Sequence, residues 1–447
     1  MTAGKRRLPQ RGPVALLRMN DGVGPAVERA LDICQGLAHF PRGGTVLLKP
    51  NLVGLPTRYA TPPYGVVTTT ALIEALLRAL VDAGAGRILL GDGGLVIEDL
   101  GMDTASTMAA LGLPELAARH GAELVDLNHG PFQETLVGDM PLKLSRAALE
   151  ADFVISAPVL KTHNMTKVSL SLKNMKGCLQ LRSKSACHSR EGGLDRHVAA
   201  LGLALYPDLA VIDGRYALAR GPMHTGQASR TDLIIAARDA LDADLAGAAV
   251  LGFAPEEVEH LRLAAQALGR PVLAPPTTGG PAIGEVRLGL PWDWPWSDPY
   301  TPEAYARSGV KGFFLPKYDT SLCTGCSAMF NPALVLALAA GSGRDFGQDL
   351  GGVELLCGKN AQPTGLAKTS LLMGNCIIKH LKNHPGLGRP VLVAGCPPGL
   401  DDLVKGFNQA GVPARIEAFE RFMASIPRRY TPEKGFFIQD FQPEARS

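Results

Sequence analysis

The sequence predicts an α/β protein, an open and mostly parallel sheet domain followed by a second, smaller α/β domain rich in cysteine. Three observations carry this. Short apolar runs alternate with stretches of helical spacing through most of the 447 residues. Gly (51) and Pro (34) are numerous enough to punctuate many short βα and αβ loops. Five of the eight cysteines, Cys323, Cys326, Cys357, Cys376 and Cys396, crowd into the last third. The chain is longer than one hydrophobic core usually serves, so two or three domains are expected.

Taken in order, residues 45–48 read as a buried strand that ends in the polar loop Lys49-Pro50-Asn51. Residues 68–83 carry apolar side chains at helical spacing and stop at Gly84. A second strand at 87–90 closes with Gly91-Asp92-Gly93-Gly94. Strand, helix and strand imply parallel pairing with a right-handed crossover. Further strands are expected at 153–157, entering a loop at Pro158, at 209–213 and at 233–237, with helices at 105–111, 197–205, 240–251 and 255–268. Residues 1–270 form the first domain on this reading. Residues 271–310 hold all three tryptophans within a Pro-rich stretch of little periodicity, a linker or arm expected to pack on a domain surface. In 311–447 the pattern resumes: helix 332–340, strand 353–357, helix 368–381, strand 391–394, helix 401–410.

The net charge of +3 is small, and no long basic run follows Lys5, Arg6, Arg7 and Arg11, which argues against a nucleic-acid partner. No apolar segment reads as a secretory signal or as long enough to span a bilayer, so no membrane partner and a cytoplasmic location are expected. That compartment keeps thiols reduced, which excludes a disulfide scaffold.

Cys323-Thr324-Gly325-Cys326 is a CxxC in which Gly325 would permit a tight chain reversal. Alone it fits half a zinc site, a redox dithiol or half a cluster site. Gly374-Asn375-Cys376 at the edge of a helical segment and Gly395-Cys396-Pro397-Pro398 after a strand add two thiols on loops. Four thiolates from three loops can close around a cube of iron and sulfide. The long gaps and the proline after Cys396 favour a [4Fe-4S] cluster over zinc, with a dithiol pair as the other option. Cys357 lies in an apolar strand and reads as a core thiol or a substitute ligand. Cys178 and Cys187 could join His188 in a second thiol group, or simply pack.

The densest polar stretch follows strand 153–157. Lys161, Thr162, His163, Asn164, Ser169, Ser171, Lys173, Asn174 and Lys176 fall within it, with Lys167 among them and Arg182 and Lys184 just beyond. Lysines and a histidine beyond a strand's carboxyl end suit a small anionic substrate, a carboxylate or phosphate, and proton exchange with it. Lys161, His163 and Lys173 are the candidate catalytic residues. Lys49, Asn51, Thr162, Asn174 and Asp213 are the candidate substrate-binding residues. The competing reading is a solvated basic face with a structural histidine. Asp242 and Asp244 suit the first turn of a helix as well as a site. Neither GxGxxG after the first strand nor GxxxxGK[ST] is present, which weighs against the common dinucleotide and P-loop folds.

The runs VLLKPNLV, VVTTTALIEALLRALVDAGAGRILLGD, ADFVISAPVLKTHNMTKVSLSLKNMKG, PDLAVIDG and DALDADLAGAAVLGF resemble the family called domain of unknown function 362, over roughly residues 40–265. Members often carry an attached iron-sulfur module, and CTGC, GNC and GCPP look like one version of it. The family is distantly similar to the N-terminal domain of lactate racemases that use a nickel-pincer nucleotide, in which Lys161-Thr162-His163 would be the counterpart of a cofactor-serving loop. The His-rich racemase pattern is absent, so nickel is not implied. The expected function is an iron-sulfur oxidoreductase or electron-transfer enzyme for a small anionic substrate, with an electron-donor protein as partner and a homodimeric state. The alternatives are an isomerase or lyase using the cluster as a Lewis acid, and a non-enzymatic zinc- or cluster-binding assembly factor.

Overall fold

Strand Thr45–Pro50 sits inside the larger sheet because its run TVLLKP has no charged side chain before Lys49, so both faces accept helices. The computed structural model describes residues 8–191, 193–341 and 349–444. The basic residues Lys5, Arg6 and Arg7 lie outside them, whereas Arg11 pairs with Asp242 at 2.7 Å. The ten-stranded sheet runs Thr277–Thr278, Val14–Arg18, Gln227–Ala237, Leu209–Ala219, Phe153–Ala157, Thr45–Pro50, Arg87–Asp92 and Ala122–Asp126. Val159–His163 and Lys167–Ser169 extend it beside Leu209–Ala219. Pairing is parallel from Leu209–Ala219 to Ala122–Asp126, and Gln227–Ala237 is antiparallel to both neighbours. The carboxyl ends of the parallel strands therefore share one edge, where α/β sheets hold ligands.

Helix Thr70–Asp82 covers one face. Its start is set by Thr69, whose side chain accepts from the Leu72 N–H at 3.3 Å. It buries Leu72, Ile73, Leu76, Leu77 and Leu80, each worth roughly 1.5–3 kcal/mol of transfer free energy. Helix Ala240–Leu251, apolar nearly all round, fills the opposite side beneath Leu170 and Ile212.

The second sheet is wholly parallel, in the order Lys311–Phe314, Asp349–Leu356, Thr369–Met373, Arg389–Val393. Two expectations change here. The helix expected over 368–381 is strand Thr369–Met373 followed by helix Asn375–Leu381. An apolar run as short as TSLLM does not separate strand from helix by period, and Gly374 at φ 105° breaks the chain between them. The helix expected to start at 332 starts at Thr324 and runs to Gly341, with Pro332 inside it. Gly325 is thus helical and makes no chain reversal. Thr324–Gly341 is long and apolar enough to cross a membrane by length and composition. It packs Met329, Phe330, Ala333, Leu336 and Ala337 into a core shared with Phe313, Leu371 and Phe407.

The Pro- and Trp-rich stretch runs along the surface between the two sheets. Thr277 and Thr278 pair with Val14 and Ala15, and the Leu288 and Leu290 amides donate to the carbonyls of Val250 and Leu251. Trp296 packs on Tyr318 and Phe330 and donates to the Leu315 carbonyl at 3.0 Å. Beyond the second sheet the chain returns to the first. Tyr430, Phe436 and Phe441 surround Tyr64 and Tyr216, and Asp440 accepts from the Tyr216 hydroxyl at 2.6 Å.

Candidate functional site

Two strand ends of the large sheet, Thr45–Pro50 and Arg87–Asp92, place a buried ion pair at the site's floor. Lys49, 0% exposed, donates to Asp92 at 2.6 Å and to Asn174 Oδ1 at 3.1 Å. Asp92 also accepts from the Leu52 and Gly93 amides, both at 2.8 Å, so both its oxygens are engaged. Gly177 seals this floor, since a β-carbon there would lie 2.0 Å from Asp92 Oδ1.

Above the pair opens a cavity of about 220 Å³. Lys161, Lys173, Lys176 and Lys184 line it, together with His163 and His188. Lys161 donates to the Val66 carbonyl at 2.8 Å and to Asn51 Oδ1, and burial pushes its amine down to about 7. Lys184 donates to the Gly93 carbonyl at 2.7 Å and to Asn128 Oδ1, and burial lowers it likewise to about 7. Lys173 has only Ser169 Oγ at 3.3 Å; burial first, then the charges of Lys176 and Lys161, hold it well below an ordinary lysine. Lys176 meets Thr324 Oγ1 at 3.2 Å and His188 Nε2 at 3.0 Å, and burial lowers it too.

Both histidines are held neutral, by burial first and then by the surrounding lysines. His163 Nδ1 accepts from the Met165 amide at 3.1 Å, which puts its proton on Nε2. His188 Nδ1 faces the Thr320 carbonyl at 2.9 Å, so it carries the proton there and offers Nε2 as acceptor to Lys176.

The opposite wall comes from the second sheet's unit: Cys323, Thr324, Gly325 and Ser327 at the start of the long helix, and Cys396 and Pro397. Lys359 ties the units together by donating to the carbonyls of Ser185 and His188 at 3.1 and 2.5 Å. The Cys323 thiol is lowered below its ordinary range, first by the neighbouring Cys326 thiol and then by the Cys326 amide, Lys359 and the Gly325 amide, against the opposing effect of burial. Cys326 is correspondingly pushed up, by the neighbouring Cys323 thiol and by burial. The Cys357 thiol is buried and pushed up to about 12.

The three cysteine-bearing segments touch. A β-carbon on Gly325 would come within 3.1 Å of Pro397, and one on Gly374 within 3.1 Å of Cys326 Sγ. The Asn375 amide donates to the Gly395 carbonyl at 3.0 Å, and the Gly395 amide to Asn375 Oδ1 at 2.9 Å. Cys376 and Cys396 are exposed. Among the described residues no three His, Cys, Asp or Glu side chains are gathered as ligands of a single ion. A cubane spreads its four ligating sulfurs wider than one ion does, and the four thiols on these three touching segments are the donor type it takes.

Of the expected site residues, Lys49, Asn51, Lys161, His163, Lys173 and Asn174 are brought together at the cavity or its floor. Thr162 and Asp213 are not. Thr162 Oγ1 donates to the Pro291 carbonyl at 3.1 Å and accepts from the Arg220 amide. Asp213 accepts from Thr69 and Arg215 and so fixes the start of helix Thr70–Asp82. Both belong to the frame because alternate strand residues point away from the site. Asn128, Thr324 and Lys359 were not foreseen as site residues. Asn128 was findable as a residue just past a strand end, whereas the other two depend on how the units dock.

Asp244 supports the lysine loop from below. Its carboxylate accepts from the Ser171 and Leu172 amides at 2.7 and 2.8 Å, and burial raises it to about 7. Asp244→Ala strands both amides and should cost about 2–4 kcal/mol. Thermal unfolding should show that loss, and an unchanged midpoint would mean the loop holds itself.

Residues 46–249 match the family model described as Domain of unknown function (DUF362). The chain is 28% identical over 247 residues to the thylakoid-associated protein sll1697 of Synechocystis sp., a match spanning 52% of this chain and 71% of that protein. Among solved structures, the lactate racemase apoprotein from Thermoanaerobacterium thermosaccharolyticum is similar at 12% identity and a TM-score of 0.38, covering 94% of this chain and 91% of that one. A Thermotoga maritima protein is similar at 9% identity and a TM-score of 0.27, covering 76% and 72%.

Proposed function

We propose, from the match of residues 46–249 to the DUF362 family model, that the chain is a cytoplasmic iron-sulfur oxidoreductase acting on a small anionic substrate. Cys323, Cys326, Cys376 and Cys396 would hold one [4Fe-4S] cluster. The observation that carries the reading is that Cys323 and Cys396 line the same cavity as Lys161, Lys173 and His163. A bound cluster supplies one-electron transfer, with a donor protein as its source. The lysines bind and orient the anion. His163 presents a proton on Nε2 and Lys173 an amine of lowered basicity, so one can give and the other take a proton at the substrate. None of the eight cysteines forms a disulfide, in keeping with a reducing compartment.

The test is reconstitution with iron and sulfide under anaerobic conditions. The proposal expects a broad absorbance at roughly 400 nm with matching iron and acid-labile sulfide. Cys323→Ser, Cys326→Ser, Cys376→Ser or Cys396→Ser should each abolish it. Wild-type protein that stays colourless sinks the reading. A second reading has its own observation, the Cys326 thiol set beside a Cys323 thiol that it lowers, which suits a dithiol-disulfide redox pair. It predicts reversible loss of two titratable thiols on mild oxidation of protein free of iron.

A further inference from the structure

We propose that the cavity between the two units is built for a compact phosphorylated anion carrying three or more negative charges, of the diphosphate class, and not for a monocarboxylate. The assignment rests on the substrate cavity of the preceding reading and is independent of its cluster.

Charge balance is the first argument. Four lysines line the cavity, and among the described residues Asp92 is the only carboxylate in its lining. Both Asp92 oxygens are already engaged by Lys49 and two backbone amides. A monocarboxylate could hold one of these amines in its charged form and would leave the others without a counter-ion to favour theirs. A ligand with three or more charges offsets most of them at once.

The kind of donor is the second argument. Among the described residues no arginine lines the cavity. Guanidinium forks match planar carboxylates, whereas ammonium groups act as point charges that suit the spread oxygens of phosphoryl groups. Donors point into the cavity, among them the Nε2–H of His163 and Lys173, which bonds Ser169 at 3.3 Å. These come from the large sheet's unit, while Thr324 reaches in from the other, beside Lys176. The anion would therefore be gripped across the joint between the units. Its arrival also favours the charged form of the lysines, so binding should draw in protons.

The experiment is titration calorimetry of the full chain with inorganic diphosphate, inorganic phosphate, citrate and acetate at pH 7 and fixed ionic strength, with and without reconstituted iron and sulfide. Diphosphate is expected to bind at least tenfold more tightly than phosphate or citrate, acetate not to register, and protons to be taken up when the buffer is varied. Lys173→Met and Lys184→Met should each weaken diphosphate at least tenfold, with melting curves confirming folded protein. Lys167→Met is the control, since Lys167 lies outside the cavity beside Glu257. Equal affinity for citrate and diphosphate, a strong acetate signal, or a Lys167→Met loss as large as that of Lys173→Met would overturn the proposal. Diphosphate binding to protein that never takes up iron would leave this inference standing while removing the cluster; a cluster without diphosphate binding would do the reverse.

Discussion

Asp92→Asn is expected to destabilise the protein by about 3–5 kcal/mol, because it leaves Lys49 charged and buried without its counter-ion. Lys49 is 0% exposed and its ammonium lies 2.6 Å from Asp92. The asparagine amide nitrogen would also present hydrogen to a donor, either Lys49 or one of the Leu52 and Gly93 amides that now reach the two oxygens. The loss should appear as a lower urea midpoint with an unchanged slope. Combining it with Lys49→Met removes the stranded charge, so the double variant should recover a good part of the loss. A double variant as unstable as the sum of its singles would show that the pair is not coupled.

Stability should rise with pH between 7 and about 8.5, and Lys161 should account for roughly 2 kcal/mol of that rise. The sign follows from proton counting. Burial lowers Lys161 from 10.5 to about 7, so in this window the unfolded chain holds a proton that the folded chain has largely released. Wherever the unfolded state binds more protons, raising the pH favours the fold. Below 7 both states are protonated and the full burial penalty applies. Lys184, lowered to the same range, adds to the slope, but less, because its side chain is partly open to the cavity. Cys323, lowered by the neighbouring Cys326 thiol, contributes with the same sign, so the measurement is a difference. Denaturant midpoints of wild type and Lys161→Met are compared at pH 7.0, 7.5, 8.0 and 8.5. Parallel lines would show that Lys161 is charged in the folded protein.

The elements that could be read from the sequence were those whose local pattern agrees with their environment. Residues 45–48 are apolar because both faces of that strand are covered, and helix Thr70–Asp82 carries its own cap and stripe. The run 369–373 misled because it is buried on all sides, and burial erases the period that tells strand from helix. Pro332 misled because a proline usually marks a helix start, while here the helix continues back to Thr324. At the site, the chemistry of the Lys161–Lys176 stretch and of the cysteines was visible as residue type and spacing.

Residue type by itself determined that this chain concentrates amines after one strand and thiols in its last third. Only the tertiary structure decided that the two groups face one cavity, that Asp92 is spent on Lys49, and that Thr162 and Asp213 serve the frame. The reason is that side-chain identity is local, whereas burial, counter-charge and the docking of one sheet's loops on another's depend on contacts between residues far apart in the chain. Those contacts are what convert ordinary lysines into amines of lowered basicity.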